Sequence, residues 1–152
     1  MAFDYFLTVP NIPGEVTATR FAGAIQVLSF SWGMSNSGSA ASGTGSGSGK
    51  VSLSDFNIQK SFDRSSPLLM QSLVSGTHLP SVLLSLVKSN TGGSQPLLTY
   101  EFDQVLISSI QDSGSDSVPT ESVSFAMVSA VVTYYYQNSD GSVTPIRFAS
   151  SL

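Results

Sequence analysis

The chain of 152 residues contains no cysteine and a single histidine. The lack of cysteine excludes disulfides, thiolate nucleophiles and cysteine-ligated metals. A metal site would have to rest on carboxylates around His78, and the sequence contains no tight acidic cluster. Charged residues make up only 11% of the chain, against about 25% in a typical soluble domain. We therefore expect no metal, no cofactor, and a polar surface that carries little charge.

Positive charge and long apolar runs are also scarce. Lys and Arg total six and the net charge is −4, so the chain lacks the basic footprint of proteins that bind nucleic acid or anionic membranes. The start, MAFDYFLTVPNIPGE, has neither the positive beginning nor the apolar core of a signal peptide. No apolar run approaches the roughly 18 residues of a membrane span. The sequence predicts a soluble protein that is made without a cleavable leader and does not insert into membranes.

Short segments of alternating apolar and polar residues fill most of the chain and predict a mainly β protein. The alternation slips by one residue after Val27 and again between Leu53 and Phe56. Since a one-residue slip reverses the face of every following side chain, each slip predicts a bulge or a strand that crosses between sheets. Two such slips favour a curled sheet or barrel. Three side chains of one phase are expected to fill the core: Leu28, Phe30 and Trp32.

One short α-helix is predicted at about residues 66–75, within DRSSPLLMQSLVSGTH. Ser66 is the expected N-cap, Pro67 the first helical residue and Gly76 the C-terminal stop. Four apolar side chains at helical spacing are expected to pack onto the sheet: Leu69, Met70, Leu73 and Val74.

The segment TESVSFAMVSAVVTYYYQ, from Thr120 to Gln137, carries the longest strand pattern. From Val128 onward both of its faces are apolar or aromatic. A strand that is apolar on both faces is buried on both, and we expect the second cover to be another subunit. Within the run Tyr134–Tyr136, alternate rings are expected to face the core and an interface.

The run GMSNSGSAASGTGSGSGK at residues 33–50 is rich in glycine and serine. Its end resembles the phosphate-binding pattern G-x-x-x-x-G-K-[ST]. However, Thr44 replaces the first glycine, Val51 replaces the hydroxyl residue and a strand follows instead of a helix. A domain linker is disfavoured because the same apolar pattern continues on both sides. We predict a long β-hairpin arm at about residues 34–49, since loops of this length are usually functional or disordered.

Two other function classes rest on single side chains. Trp32 or the run Tyr134–Tyr136 would stack on sugars in a monomeric β-sandwich carbohydrate-binding module. His78 would be the base of a serine hydrolase, although no G-x-S-x-G pattern marks a nucleophile among the many serines.

Several blocks of the sequence resemble the haemolysin-coregulated proteins (Hcp), the tube proteins of bacterial type VI secretion systems. The most specific blocks are VLSFSWG, SPLLM…SG.H and VLISSI…PTESVSF, and the resemblance runs in order through nearly the whole chain. It implies a two-sheet β-barrel with one flanking helix, forming a single domain over residues 1–152 without a C-terminal effector extension. It further implies hexameric rings that stack into a hollow tube, inside a contractile sheath and below a trimeric spike. The implied role is structural and not enzymatic.

The resemblance also implies where the protein acts and which residues it uses. The tube is assembled in the bacterial cytoplasm and is then secreted or delivered into a target cell, with effector proteins in its lumen. The candidates for the lumen and for cargo contact are Ser29 and Ser31. The inter-subunit candidates are Val128, Val132, Tyr134 and Tyr136. The candidates for a ring-stacking arm are Ser35, Asn36, Ser37, Gly38, Ser39, Gly43, Thr44, Gly45 and Ser46.

Overall fold

The computed structural model describes residues 3–38, 50–89 and 95–150. These ranges hold one α-helix, α1 (Ser65–Ser75), and a 3₁₀ turn at Thr19–Phe21. The strands are β1 (Phe3–Thr8), β2 (Ile25–Val27), β3 (Ser29–Ser31), β4 (Met34–Asn36), β5 (Val51–Leu53), β6 (Phe56–Ser61), β7 (Leu79–Lys88), β8 (Leu98–Ser113), β9 (Thr120–Ala126), β10 (Ser129–Gln137) and β11 (Val143–Ala149). No helix in the described ranges has the length and apolar character needed to cross a membrane.

The long strand β8 belongs to two sheets. Its first half pairs with β7 and β10, and β1, β2 and β11 extend this first sheet. Its second half pairs with β9, which is followed by β6 and β3 in the second sheet. The pairing order β2–β1–β7–β8–β9–β6–β3 stops at β2 and β3, which are successive pieces of one chain segment and do not pair with each other. The mainly β fold with one short helix is confirmed, but the predicted barrel is wrong because the sheets are not closed.

Both slips in the apolar alternation coincide with a change of sheet. β2 pairs with β1, whereas β3 pairs with β6, so the chain leaves the first sheet for the second at Leu28. β5 pairs with β4 in a small separate sheet, whereas β6 belongs to the second sheet. The predicted crossings are therefore confirmed. Leu28 itself is 57% exposed and does not fill the core as expected, because it lies between β2 and β3, where the chain passes from one sheet to the other.

The core lies between the two sheets and is rich in aromatic rings. Phe56 is fully buried, and its ring centroid lies 4.6 Å from that of Phe102 and 5.6 Å from that of Phe125. Phe30 and Trp32 are partly buried and pack at the margin of this cluster. Since each fully buried large apolar side chain contributes about 1.5–3 kcal/mol, the ring cluster holds the sheets face to face. Only one face of the second sheet packs against this core.

The helix ends as predicted but begins differently. Gly76 follows its last turn in the left-handed conformation at φ 66, which confirms the C-terminal stop. At the start, Asp63 Oδ1 accepts a hydrogen bond from the Ser65 main-chain N–H at 2.9 Å. Ser66 is a buried helical residue and not the N-cap, and Pro67 is the third helical residue and not the first. The predicted N-terminal residues are wrong because the Ser66 hydroxyl accepts a hydrogen bond from the buried Lys60 and does not cap the helix.

The apolar stripe of α1 is narrower than the sequence suggests. Leu69 is fully buried and Leu73 packs against the core. Met70 is half-buried, and Val74 is 78% exposed, so the prediction that Val74 packs onto the sheet is wrong. The helix contacts the sheets mainly through its buried serines and these two leucines.

The predicted long strand from Thr120 to Gln137 is in fact two strands that lie on different parts of β8. β9 pairs with the second half of β8, and β10 pairs with its first half. At the break, the Val128 N–H donates to the Asp103 carbonyl at 3.1 Å. The longest strand is β8, with 16 residues, and Gln104 sits in its middle with a positive φ of 54. The chain thus passes from one sheet to the other both within β8 and between β9 and β10.

Candidate functional surfaces

The second sheet exposes a face that consists of hydroxyl and amide side chains. Residues that are directly opposite each other in a ladder lie on the same face, so the registers of β3, β6, β9 and β8 define three rows. The rows are Ser31–Asn57–Ser124–Ser109, Ser29–Gln59–Ser122–Gln111 and Ser61–Thr120–Ser113. None of these residues is charged or apolar. We call these three rows the hydroxyl–amide face.

A hydrogen-bond network orders the centre of the hydroxyl–amide face. Asn57 Nδ2 donates to Ser122 Oγ at 3.0 Å and to Ser124 Oγ at 2.9 Å. Gln59 Nε2 donates to Ser122 Oγ at 3.1 Å and to Asn57 Oδ1 at 3.2 Å. Asn57 Nδ2 also lies 3.4 Å from the Val123 carbonyl oxygen, which can only accept and so fixes the orientation of the amide. Both amide nitrogens are therefore engaged within the sheet.

The predicted lumen candidates, Ser29 and Ser31, lie in β3 at one margin of the hydroxyl–amide face, and both are exposed. The structure places them opposite Gln59 and Asn57. These two amides were not among the predicted lumen residues, although they alternate with buried residues in FNIQKS much as Ser29 and Ser31 flank the partly buried Phe30. That alternation was the signal that could have found them.

The first sheet carries a different exposed surface on β10 and β11. In the ladders, Val132 lies opposite both Tyr100 and Phe148, and Tyr134 lies opposite Ile146. These residues continue the face on which Tyr100 packs against the core. Tyr134 is 50% exposed, Ile146 57% and Phe148 42%. We call the following residues of this face the apolar ledge: Val132, Tyr134, Tyr136, Ile146 and Phe148.

The apolar ledge contains three of the four predicted inter-subunit residues. The fourth, Val128, lies just before β10 and is exposed. In the described part of the chain β11 pairs only with β10, so one edge of β11 is open. Ile146 and Phe148 were not among the predicted inter-subunit residues; they lie in β11, which contains Pro145, a residue typical of edge strands.

Strands β4 and β5 form the base of the predicted arm. They pair antiparallel, as expected for a hairpin. Beyond them, the Ser37 N–H donates to the Lys50 carbonyl at 3.1 Å, and the Lys50 N–H donates to Ser37 Oγ at 3.0 Å. The Gly38 N–H donates to Asn36 Oδ1 at 2.7 Å. Five of the predicted arm residues lie outside the described residues: Ser39, Gly43, Thr44, Gly45 and Ser46.

A groove separates the arm base from the apolar ledge. It has a volume of about 420 Å³, and Met34, Val51 and Phe148 are among its lining residues. All three of these apolar side chains are exposed. The arm base and β11 therefore form the two walls of one groove that contains exposed apolar side chains.

A buried ion cluster lies beneath the first turn of α1. Lys60 and Glu121 are both fully buried, and Lys60 Nζ donates to Glu121 Oε1 at 2.8 Å. Lys60 Nζ also donates to Ser66 Oγ at 2.7 Å and lies 3.1 Å from Asp63 Oδ1. Asp112 lies opposite Glu121 in the ladder. Partial loss of water, and after it the hydrogen bond and charge of Glu121, raises the pKa of Asp112. Glu121 Oε2 is buried and has no hydrogen-bond partner in the described chain.

Neither His78 nor Trp32 has the surroundings that its alternative role requires. His78 is exposed beside a cavity of about 300 Å³ whose lining contains no carboxylate. Trp32 is packed edge-on against Tyr100 and Phe102, and its Nε1 is buried, so its ring offers no open platform to a sugar. Among the described residues, no group of three or more acidic or histidine side chains is placed to hold a metal ion.

Comparison with known proteins gives a consistent result. The model of the family described as "Type VI secretion system effector, Hcp" matches residues 6–134. The chain is 37% identical over 143 residues to Protein hcp1 of Pseudomonas aeruginosa strain PAO1, which covers 93% of this chain and 88% of that protein.

Solved structures show the same similarity in three dimensions. A structure described as a type six secretion system protein superposes with a TM-score of 0.82 at 29% identity, covering 95% of this chain and 92% of the other. Hcp1 from Salmonella typhimurium superposes with a TM-score of 0.78 at 26% identity, covering 97% of this chain and 95% of the other.

Proposed function

Because the chain belongs to the Hcp family of type VI secretion proteins, we propose that it is the structural subunit of a type VI secretion inner tube. In this proposal the subunits form hexameric rings, the rings stack into a hollow tube, and effector proteins travel in the lumen. The tube lies within a contractile sheath and ends at a trimeric spike. The subunit carries and protects its cargo and has no catalytic role.

The observation that carries the proposal is the apolar ledge beside the open edge of β11. Tyr134, Ile146 and Phe148 expose large apolar surfaces next to one another. Adjacent exposed apolar side chains mark a protein interface, and an open strand edge is usually covered by another chain. A closed ring needs contacts between two different surfaces of each copy, repeated at a fixed rotation. We assign the apolar ledge, together with Val128, to one side of this contact.

The hydroxyl–amide face suits the lumen of the proposed ring. It lacks the apolar side chains that a subunit interface buries, and it is extended over neighbouring strands of the second sheet. Ser29, Ser31 and the central serines would then face the cargo. The arm base at Ser35, Asn36, Ser37 and Gly38 lies beside the apolar groove, and we assign the arm and this groove to contacts between stacked rings.

Proteins of the Hcp family are secreted. We propose that this chain assembles in the bacterial cytoplasm and leaves it as part of the tube, into the medium or into a target cell. The low content of charged residues, 11%, is consistent with assembly because weak self-repulsion lets copies associate closely.

Light scattering coupled to gel filtration tests the ring. The wild-type chain should give a mass of about six times the 15.9 kDa protomer, and electron microscopy should show rings. Tyr134→Glu combined with Ile146→Glu should lower the mass to that of a monomer, because two charges would enter the apolar ledge. Val74→Glu is the matched control, since Val74 is exposed but lies on α1. A wild-type chain that remains monomeric would contradict the proposed function.

A further inference from the structure

The hydroxyl–amide face has a defined set of unused hydrogen-bonding groups. Ser122 Oγ accepts from both Asn57 and Gln59, so its lone pairs are occupied and its hydrogen remains for an outside acceptor. Ser124 Oγ accepts from Asn57, and its hydrogen has no acceptor in the described chain. Gln59 donates twice through Nε2, and its Oε1 has no donor among the described residues. The centre of the face therefore offers two outward donors beside one outward acceptor.

This combination matches the peptide group. A main-chain carbonyl oxygen can accept from a serine hydroxyl, and the neighbouring N–H can donate to the Gln59 oxygen. The same two rows continue on the neighbouring strands with residues of the same chemistry, Ser31, Ser109 and Gln111. We propose, on the basis of the tube function proposed above, that the hydroxyl–amide face binds protein cargo through uncharged peptide groups and side-chain amides. The cargo segments are loops or strand edges whose main-chain groups are not paired within the cargo itself.

The composition of the face excludes ion pairs and stacking on aromatic rings as ways of binding a ligand. No charged side chain belongs to it, so it provides no ion pair to a charged cargo. The aromatic rings of the same strands, Phe30, Phe56 and Phe125, lie on the opposite face with the core, so the face provides no ring on which a sugar could stack. Binding should therefore be weak for one subunit, insensitive to salt, and strengthened when one cargo touches several subunits of a ring.

The test uses the isotope-labelled full chain and a capped, uncharged peptide of repeated Gly-Ser-Asn-Gln as the probe. The peptide should shift the amide resonances of β6 and β9, and its dissociation constant should be the same at low and high salt. Maltoheptaose is the competing probe. Sugar binding at these resonances without peptide binding would overturn the proposal, and so would a peptide affinity that disappears at high salt.

Variants of the face give the second readout. Ser122→Ala with Ser124→Ala should weaken peptide binding about tenfold, since two donors are lost. The control Ser115→Ala with Ser117→Ala, in the loop before β9, should leave binding unchanged. Gln59→Glu should create salt-dependent binding of a Lys-containing version of the peptide, a gain that loss of folding cannot mimic. Equal binding by the wild type and the Ser122 and Ser124 variant would refute the proposal.

The oligomeric state is measured on the same samples, so the two proposals can fail separately. Rings that do not bind the peptide would overturn the inference about the face and leave the tube function standing. A monomer that binds the peptide through Ser122 and Ser124 would support the chemistry of the face and overturn the tube function.

Discussion

Replacement of Lys60 by methionine tests whether the buried ion cluster holds α1 to the second sheet. Lys60 Nζ is the only cation in contact with Glu121, Asp63 and Ser66 in the described chain. Methionine has a similar length and fills the same space without charge. After the change, Glu121 would remain fully buried with no cation beside it, and Ser66 Oγ would keep only the Asp63 main-chain N–H as its donor. The variant thus isolates the charge from the packing.

The expected cost is large compared with the total stability of a domain. Removal of one partner of a buried ion pair costs about 3–5 kcal/mol, because the other charge stays in a poorly solvated site. Natural domains are stable by only about 5–15 kcal/mol. For a chain of this size each kcal/mol shifts the melting temperature by about 2–4 °C, so Lys60→Met should lower it by about 10 °C. Lys50→Met, at an exposed position, should shift it by less than about 2 °C.

The measurement is urea unfolding in the Tyr134→Glu and Ile146→Glu background, because ring assembly would otherwise add to the apparent stability. The double variant Lys60→Met with Glu121→Leu should recover most of the loss, since replacement of both charges by apolar side chains is often neutral. Additive losses in the double variant would show that the two charges do not compensate each other. The reasoning is also refuted if Lys60→Met alone costs less than about 1 kcal/mol.

Three further changes give distinct outcomes. The pKa of Asp112 is raised in the folded chain above its usual value of 3.8, so the folded state binds the proton more tightly than the unfolded state does. The folded state therefore loses stability as the pH rises through the raised pKa. Asp112→Asn should be more stable than the parent in urea at neutral pH, and this difference should fade towards pH 3.8. An unchanged difference between the two pH values would contradict this cause. Gly14→Ala would place a Cβ in steric clash with the Ala24 main-chain oxygen, so the thermal midpoint should fall by several degrees. An unshifted midpoint would show that the segment adapts. Deletion of residues 37–47 should leave rings intact in light scattering but prevent tubes in electron microscopy of concentrated protein; normal tubes would remove the arm from the stacking contact.

The alternation of apolar and polar residues was sufficient to predict the mainly β class and the crossings between sheets. It was sufficient because a slip such as the one after Val27 is a local property of the sequence. Closure of the sheets is not local. It depends on whether β2 and β3, on either side of Leu28, pair with each other or with other strands. The alternation does not indicate which strand each of them pairs with.

The errors at α1 have the same origin. Ser66 has the residue type and position of an N-cap, yet its hydroxyl is taken by Lys60, and Asp63 bonds the first helical N–H instead. Lys60 is buried only because β6 pairs with β9 and brings Glu121 beside it. Residue preferences could not predict this contact, since it joins residues 61 positions apart.

The second sheet reverses the usual placement of charge, and this reversal connects the buried ion cluster with the hydroxyl–amide face. Lys60 and Glu121 occupy the inward phase of β6 and β9, where charged residues are rare unless they are paired. The outward phase of the same strands, which would ordinarily carry the charges, holds hydroxyl and amide side chains and Ala126, but no charged residue. Lys60 and Glu121 neutralise each other under α1, so the fold keeps both charges without placing them on the exposed face. A neutral face on a chain with a net charge of −4 would not repel acidic cargo at close range and would not retain basic cargo by ion pairs. Such a face suits a carrier that must hold different proteins and release each of them.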